Sequence, residues 1–248
     1  MNRRTLLVAG GVGVAAALGG CLDESTVDDG TGADDGENGS DDGEAGDDDG
    51  TDDPITEDPR VDEPPYGIDR PEPPDGPGDD GAWPEEYLGE NMPTEPSLRV
   101  EPLSISRGVL RDHLRDHADP SEDAYRVRLL TSQADIDDIF DTDAPDDDAA
   151  DRLRSVDFDE RAVAVVESGF GSGSVSHRWA RAEVDDGVLG LHGYYTDPYV
   201  RTGDVTSRLS VLELERSSDG PEYVRVSLTV AEDRRVQFNC TEGVVNLE

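Results

Sequence analysis

The chain has 248 residues and no lysine: all 21 cationic side chains are arginine, set against 60 Asp and Glu, for a formal net charge of −39. Such a balance excludes electrostatic binding to nucleic acid or to an anionic membrane face, both of which need clustered positive charge. Two cysteines exclude a disulfide-stapled scaffold. Long apolar runs are missing as well. The uncharged stretch Val8 to Gly20 is too short and too rich in glycine for a spanning helix, which needs about 20 mostly apolar residues.

What is present is unevenly distributed. Residues 22 to 97 carry 28 acids and 2 Arg, net −26, with only 6 Leu, Ile, Val or Phe; residues 98 to 248 carry 32 acids and 17 Arg, net −15, with 40 such apolar residues. A segment so poor in apolar surface cannot offset the entropy of ordering its backbone, so 22 to 97 is expected to be a disordered acidic tether. Its first half is Asp/Gly/Glu low complexity and its second, from Pro54 to Pro96, is proline-rich and extended. About 75 residues of such chain would span roughly 45 to 50 Å as an ideal coil, and more once charge repulsion acts. Trp83 to Leu88 is the one place in the proline-rich half with apolar side chains close together, and it reads as a few aromatics in a solvated linker, the alternative being a segment that docks onto the domain or a partner. The tether's acids miss the alternating spacing of a calcium-binding loop.

The N-terminus reads as an address. Arg3 and Arg4 precede a weakly apolar stretch that ends in Leu18-Gly19-Gly20-Cys21. The arginine pair resembles a twin-arginine export signal, and Leu-Gly-Gly-Cys resembles a lipobox whose cysteine is lipidated. The resemblance implies an export signal over 1–21, with Cys21 holding the protein by lipid to the outer face of the cell membrane; composition divides the rest into tether 22–97 and folded domain 98–248. Absent lysine, 39 Asp against 21 Glu and an acidic surface together resemble proteins of salt-loving archaea.

From Leu98 onward apolar periodicity appears. Leu110, Leu114 and Ala118 recur every four residues, predicting a helix over about Gly108 to Ala118. Ser132 caps a second helix carrying Ile136, Ile139 and Phe140, and another is expected over Asp147 to Val156. Strands are expected over Ala124–Thr131, Ala162–Glu167, Val175–Val184, Val188–Tyr195, Val205–Leu214, Tyr223–Ala231 and Val236–Cys240. Asp185-Asp186-Gly187 marks a hairpin and Ser217 to Pro221 another turn, so strands on either side of both are expected to pair antiparallel. The fold class is α+β: mainly an antiparallel β-sheet or sandwich with one or two packed helices.

Val156 to Val166, the Gly/Ser turn Ser168 to Ser174 and the hairpin at Asp186 are similar to the PrcB C-terminal domain family, over about residues 124 to 195. The likeness implies an accessory or interaction domain. The chain departs from that family in having Gly173-Ser174-Val175 where the turn has Gly-Gly-Tyr.

Candidate chemistry is sparse. His113 and His117 stand one helical turn apart, as in zinc sites, but no further ligand completes a coordination sphere, so no metal or other cofactor is expected. The Gly/Ser turn is neither a nucleophile elbow nor a phosphate loop. His177, Trp179, Tyr194, Tyr195 and Tyr199 are candidates for an aromatic binding patch. Asn38 and Asn239 lie in glycosylation sequons. These readings favour a non-catalytic binding or accessory domain whose partner is an envelope protein or glycan. The alternative is an extracytoplasmic hydrolase or metal-dependent enzyme using His113 and His117, or His177.

Concentrated salt shortens the Debye length to about 3 Å at 1 M and so relieves the self-repulsion of a strongly acidic domain. The thermal midpoint of the domain should rise between dilute buffer and multimolar KCl, and a melting curve unchanged across that range removes the salt-adaptation reading.

Overall fold

The computed structural model describes residues 58–75, 83–142, 148–216 and 220–247. Cys21, the Arg3/Arg4 signal, Asn38 and the Asp/Gly half of the expected tether lie outside the described residues.

Among the described residues ten strands form two five-stranded sheets. One holds β1 (Arg60–Asp62), β5 (His177–Asp185), β6 (Val188–Tyr195), β8 (Tyr223–Ala231) and β9 (Arg234–Asn239), in the order β1-β9-β8-β6-β5. The other holds β2 (Val100–Leu103), β3 (Ala124–Leu130), β4 (Arg161–Gly171), β7 (Thr206–Glu215) and β10 (Val245–Asn246), in the order β10-β3-β4-β7-β2. Every pairing is antiparallel except β6 with β8. The two inner faces share one apolar core that includes Tyr125, Val127, Ala164, Val166, Leu212 and Leu214 from the second sheet and Leu189, Leu191, Val226, Leu228 and Phe238 from the first. Helices α1 (Gln133–Ile139) and α2 (Asp148–Arg154) close a second core over the outer face of the second sheet, where Ile136, Phe140 and Leu153 meet Val163, Val165 and Val211. The domain is therefore α+β and mainly antiparallel.

Local chemistry explains the well-defined elements. Ser132 Oγ accepts from the Asp135 amide at 3.2 Å while Asp135 Oδ2 accepts from the Ser132 amide at 2.9 Å, a reciprocal cap on a seven-residue helix that needs tertiary packing to persist. At the β5–β6 hairpin Asp186 and Gly187 have φ of 45° and 79°, the left-handed pair that a two-residue turn matching strand twist requires.

Four expectations are corrected. The segment 108–118 is no helix: short 3-10 turns at Arg107–Val109 and Leu114–Asp116 flank extended backbone, because Leu110 bridges to Phe140 and Arg111 donates its amide to Ile139 O at 2.9 Å. Leu110 and Leu114 are both buried, so their spacing records burial without a helix. Short connection did not bring antiparallel pairing to β7 and β8, which lie in different sheets, with apolar residues of both in the shared core. β4 runs through the expected Gly/Ser turn as far as Gly171, with a bulge at Gly169 (φ 47°) that slips its register against β7.

The fourth correction moves the domain boundary. Residues 58–75 and 83–97 belong to the fold and not to a tether. Asp62 of β1 accepts from Arg235 Nε and Nη2 at 2.7 and 2.8 Å and from Gln237 Nε2 at 2.6 Å, and this arginine fork holds its carboxyl below the usual range. Tyr87 and Leu88 are 4 % and 2 % exposed in the main core, and Trp83 packs against it. Trp83 Nε1 donates to Asp197 O at 2.6 Å. Leu88→Ala should therefore lower unfolding stability by about 2 to 5 kcal/mol. Chemical denaturation in high salt measures this, and a linker residue would show no change.

Candidate functional site

At one end of the sandwich a cleft of about 380 Å³ opens between the sheets, a size that suits a small ligand or a single side chain. Tyr87, Tyr125 and Tyr195 line it with Gly169 and Arg208, and three ion pairs ring it. Arg70 lies 3.5 Å from Glu232, Arg201 2.5 Å from Asp197, and Arg234 2.5 Å from Asp123. Tyr87 OH lies 2.8 Å from Asp197 Oδ2 and 2.7 Å from Glu232 Oε1. Its one proton serves one carboxylate at a time, and burial together with both acids pushes the phenol well above its usual range.

Behind the cleft lies a buried polar chain. Ser168 Oγ is 2.6 Å from His177 Nε2 and 2.7 Å from Tyr195 OH, His177 Nδ1 is 2.9 Å from Ser210 Oγ, and Trp179 Nε1 donates to Ser210 Oγ at 3.1 Å. These residues come together because Ser168 on β4 and Ser210 on β7 continue the inward face of Ala164, Val166, Leu212 and Leu214, while His177 and Tyr195 are register partners across β5 and β6. Arg208, directly opposite Ser168 in the β4–β7 ladder, lays its guanidinium over the Tyr195 ring at 4.4 Å.

A serine and a histidine in contact raise the question of hydrolysis. A nucleophile needs a base that takes up its proton and an opening for the substrate. Burial, reinforced by Arg208 and Arg107, pulls the His177 pKa down to about 3, so the ring resists protonation. Its Nδ1 faces a serine where a hydrolytic triad has a carboxylate. Ser168 is fully buried and is absent from the cleft wall. The chain of hydroxyls instead fixes the Tyr195 ring, and with it the cation above.

Of the residues expected to form an aromatic surface patch, His177, Trp179 and Tyr195 do come together, the rings of Trp179 and Tyr195 centred 5.6 and 5.7 Å from that of His177, but along the buried polar chain, while Tyr194 and Tyr199 stand apart from them. His177 and Tyr195 are buried within the sandwich, Trp179 and Tyr194 are half-buried on opposite faces of their strands, and Tyr199 alone is exposed, resting against Trp83 at 5.4 Å between ring centres. Strand alternation turns Tyr194 away from Tyr195, toward Glu86 at 3.4 Å. His113 and His117 flank the 114–116 turn instead of sharing a helix face. His117 Nε2 contacts Asp112 Oδ1 at 2.5 Å, within a network in which Arg126 and Arg128 bind Asp112 and Arg126 also binds buried Glu167. No group of three or more potential metal-binding side chains occurs among the described residues. Asn239 is buried and its Oδ1 accepts from the Thr241 amide and hydroxyl, so the folded domain does not present that sequon.

Sequence reasoning missed Arg208 and the cleft. One signal was available: Arg208 falls on the same period-two face as Leu212 and Leu214, so the strand pattern places a guanidinium inside. Comparison of the chain with protein-family models, curated protein sequences and solved structures finds no match.

Neutral His177 makes folding sensitive to acid. The unfolded histidine gains a proton near pH 6.5 while the folded one resists until about 3. The unfolded state therefore binds more protons in that window, and the stability this group contributes is present above pH 6.5 and lost as pH falls toward 3. His177→Gln, which cannot titrate, should flatten the decline of unfolding free energy between pH 6.5 and 4.5; an unchanged slope would show that carboxylates alone carry it.

Proposed function

We propose that the protein is a lipid-anchored surface protein, exported by the twin-arginine route and held on the outer face of the cell membrane through Cys21, whose β-sandwich is a non-catalytic binding or accessory domain. The observation that supports binding over catalysis is the contrast between the sealed Ser168–His177 pair and the open cleft beside it. The N-terminal Arg3-Arg4 and Leu-Gly-Gly-Cys pattern supports the anchor, and no helix among the described residues is long and apolar enough to cross a membrane. The accessory role is what a resemblance of residues 124–195 to the PrcB C-terminal domain family would imply, a resemblance that is itself part of this proposal. The cleft, lined by residues from both sheets and by the segment around Tyr87, is the surface through which it engages an envelope partner or glycan.

Hydrolysis is the second reading, favoured by the 2.6 Å contact between Ser168 Oγ and His177 Nε2. Two measurements on the full chain in its native salt test the proposal. Cys21→Ala should move the protein from the membrane fraction to the medium, and a variant that stays membrane-bound defeats the anchor. A fluorophosphonate probe should leave Ser168 unlabelled, whereas stoichiometric labelling abolished by Ser168→Ala establishes the hydrolase.

A further inference from the structure

Arg208 is the cation of the cleft without an acid of its own. It is 8 % exposed, its Nε has no hydrogen-bond partner, and no carboxylate lies within ion-pair distance of it among the described residues. Guanidinium cannot shed its proton, so this charge persists after burial, and buried charges are ordinarily paired. Its visible compensation is the face and hydroxyl of Tyr195.

The surroundings are shaped to the guanidinium. A Cβ on Gly169 would stand 3.0 Å from Arg208 Nη1, and one on Gly171 would stand 3.0 Å from Nη2. Glycine at both positions leaves room for the planar head at the β4 bulge, where any other residue would crowd it. The other three arginines of the wall each face an acid, so the cleft holds four cations against Asp123, Asp197 and Glu232. A local excess of one positive charge, in a chain of net −39, marks a place built for one negative charge.

We infer that the cleft binds its ligand by a single carboxylate group seated on Arg208. The planar fork of the guanidinium fits a carboxylate, and three flanking acids oppose any group carrying two charges, such as phosphate at neutral pH. This inference rests on the reading of the domain as a binding module and names what that module recognises.

The test uses the full-length protein in molar sodium sulfate, a background dianion that the acids of the cleft also disfavour. Carbon-13-labelled acetate is titrated and followed by its line width. Wild type should broaden acetate saturably, and Arg208→Met should bind it about tenfold or more weakly, as loss of a charge-assisted pair predicts. Since Arg208→Met also alters packing on Tyr195, wild type supplies a second readout: one arginine Nε–H resonance should shift along the same saturation curve. Absence of saturable broadening overturns the assignment, as does a folded Arg208→Met protein with unchanged acetate affinity, or inorganic phosphate bound as tightly as acetate. Labelling of Ser168 by the fluorophosphonate probe would instead overturn the binding reading while leaving the acetate result to stand by itself.

Discussion

Strand β4 is buried on both faces, and the rest of the domain is arranged to make that possible. Ala164 and Val166 face the core between the sheets while Val163 and Val165 face the helices, all of them essentially inaccessible to solvent. A strand covered on two sides reads as a continuous apolar run, and it demands a layer on each side. The first sheet supplies one layer. Two seven-residue helices and the turns around Val109 and Leu114 supply the other, and these short pieces hold their shape because they rest on that strand.

The same strand carries polar side chains into both cores just before it leaves them. Glu167 points to the helical side, where Arg126 binds it and the Leu114 amide donates to it at 2.9 Å, tying the 114–116 turn onto the sheet. Ser168 points between the sheets and meets His177 and Tyr195. Glu167 and Ser168 are thereby both matched, as low-dielectric surroundings require. Arg208 departs from this economy: its neighbour across the ladder is satisfied, whereas its own Nε has no hydrogen-bond partner.

Where one residue's environment is set by its own strand, the sequence was legible. β6 and β8 begin and end where alternation predicted, and Ser132 and Asp186-Gly187 act as the cap and turn their chemistry implies. Relations between distant segments were not. Asp62, Trp83, Tyr87 and Leu88 lie in acidic, proline-rich chain whose composition argues for solvation; what orders them is the core together with Arg235 and Asp197, partners of Asp62 and Trp83 more than a hundred residues away. The aromatic surface patch failed for a related reason, since residue type alone does not tell which sheet face a ring occupies. The cleft depends on both kinds of information, an inward period on β7 and a bulge on β4, and neither strand alone reveals it.

The place of β1 also sets how the domain meets mechanical load. Tension applied through the chain ahead of β1 would be met by its three residues at the edge of a sheet, paired to β9 and pinned by the Asp62 fork. Such an edge can peel while the two cores behind it stay intact, since β9 remains bonded to β8. The domain thus has a short sacrificial hem, and the cleft residue Tyr87 lies on the chain just inside it.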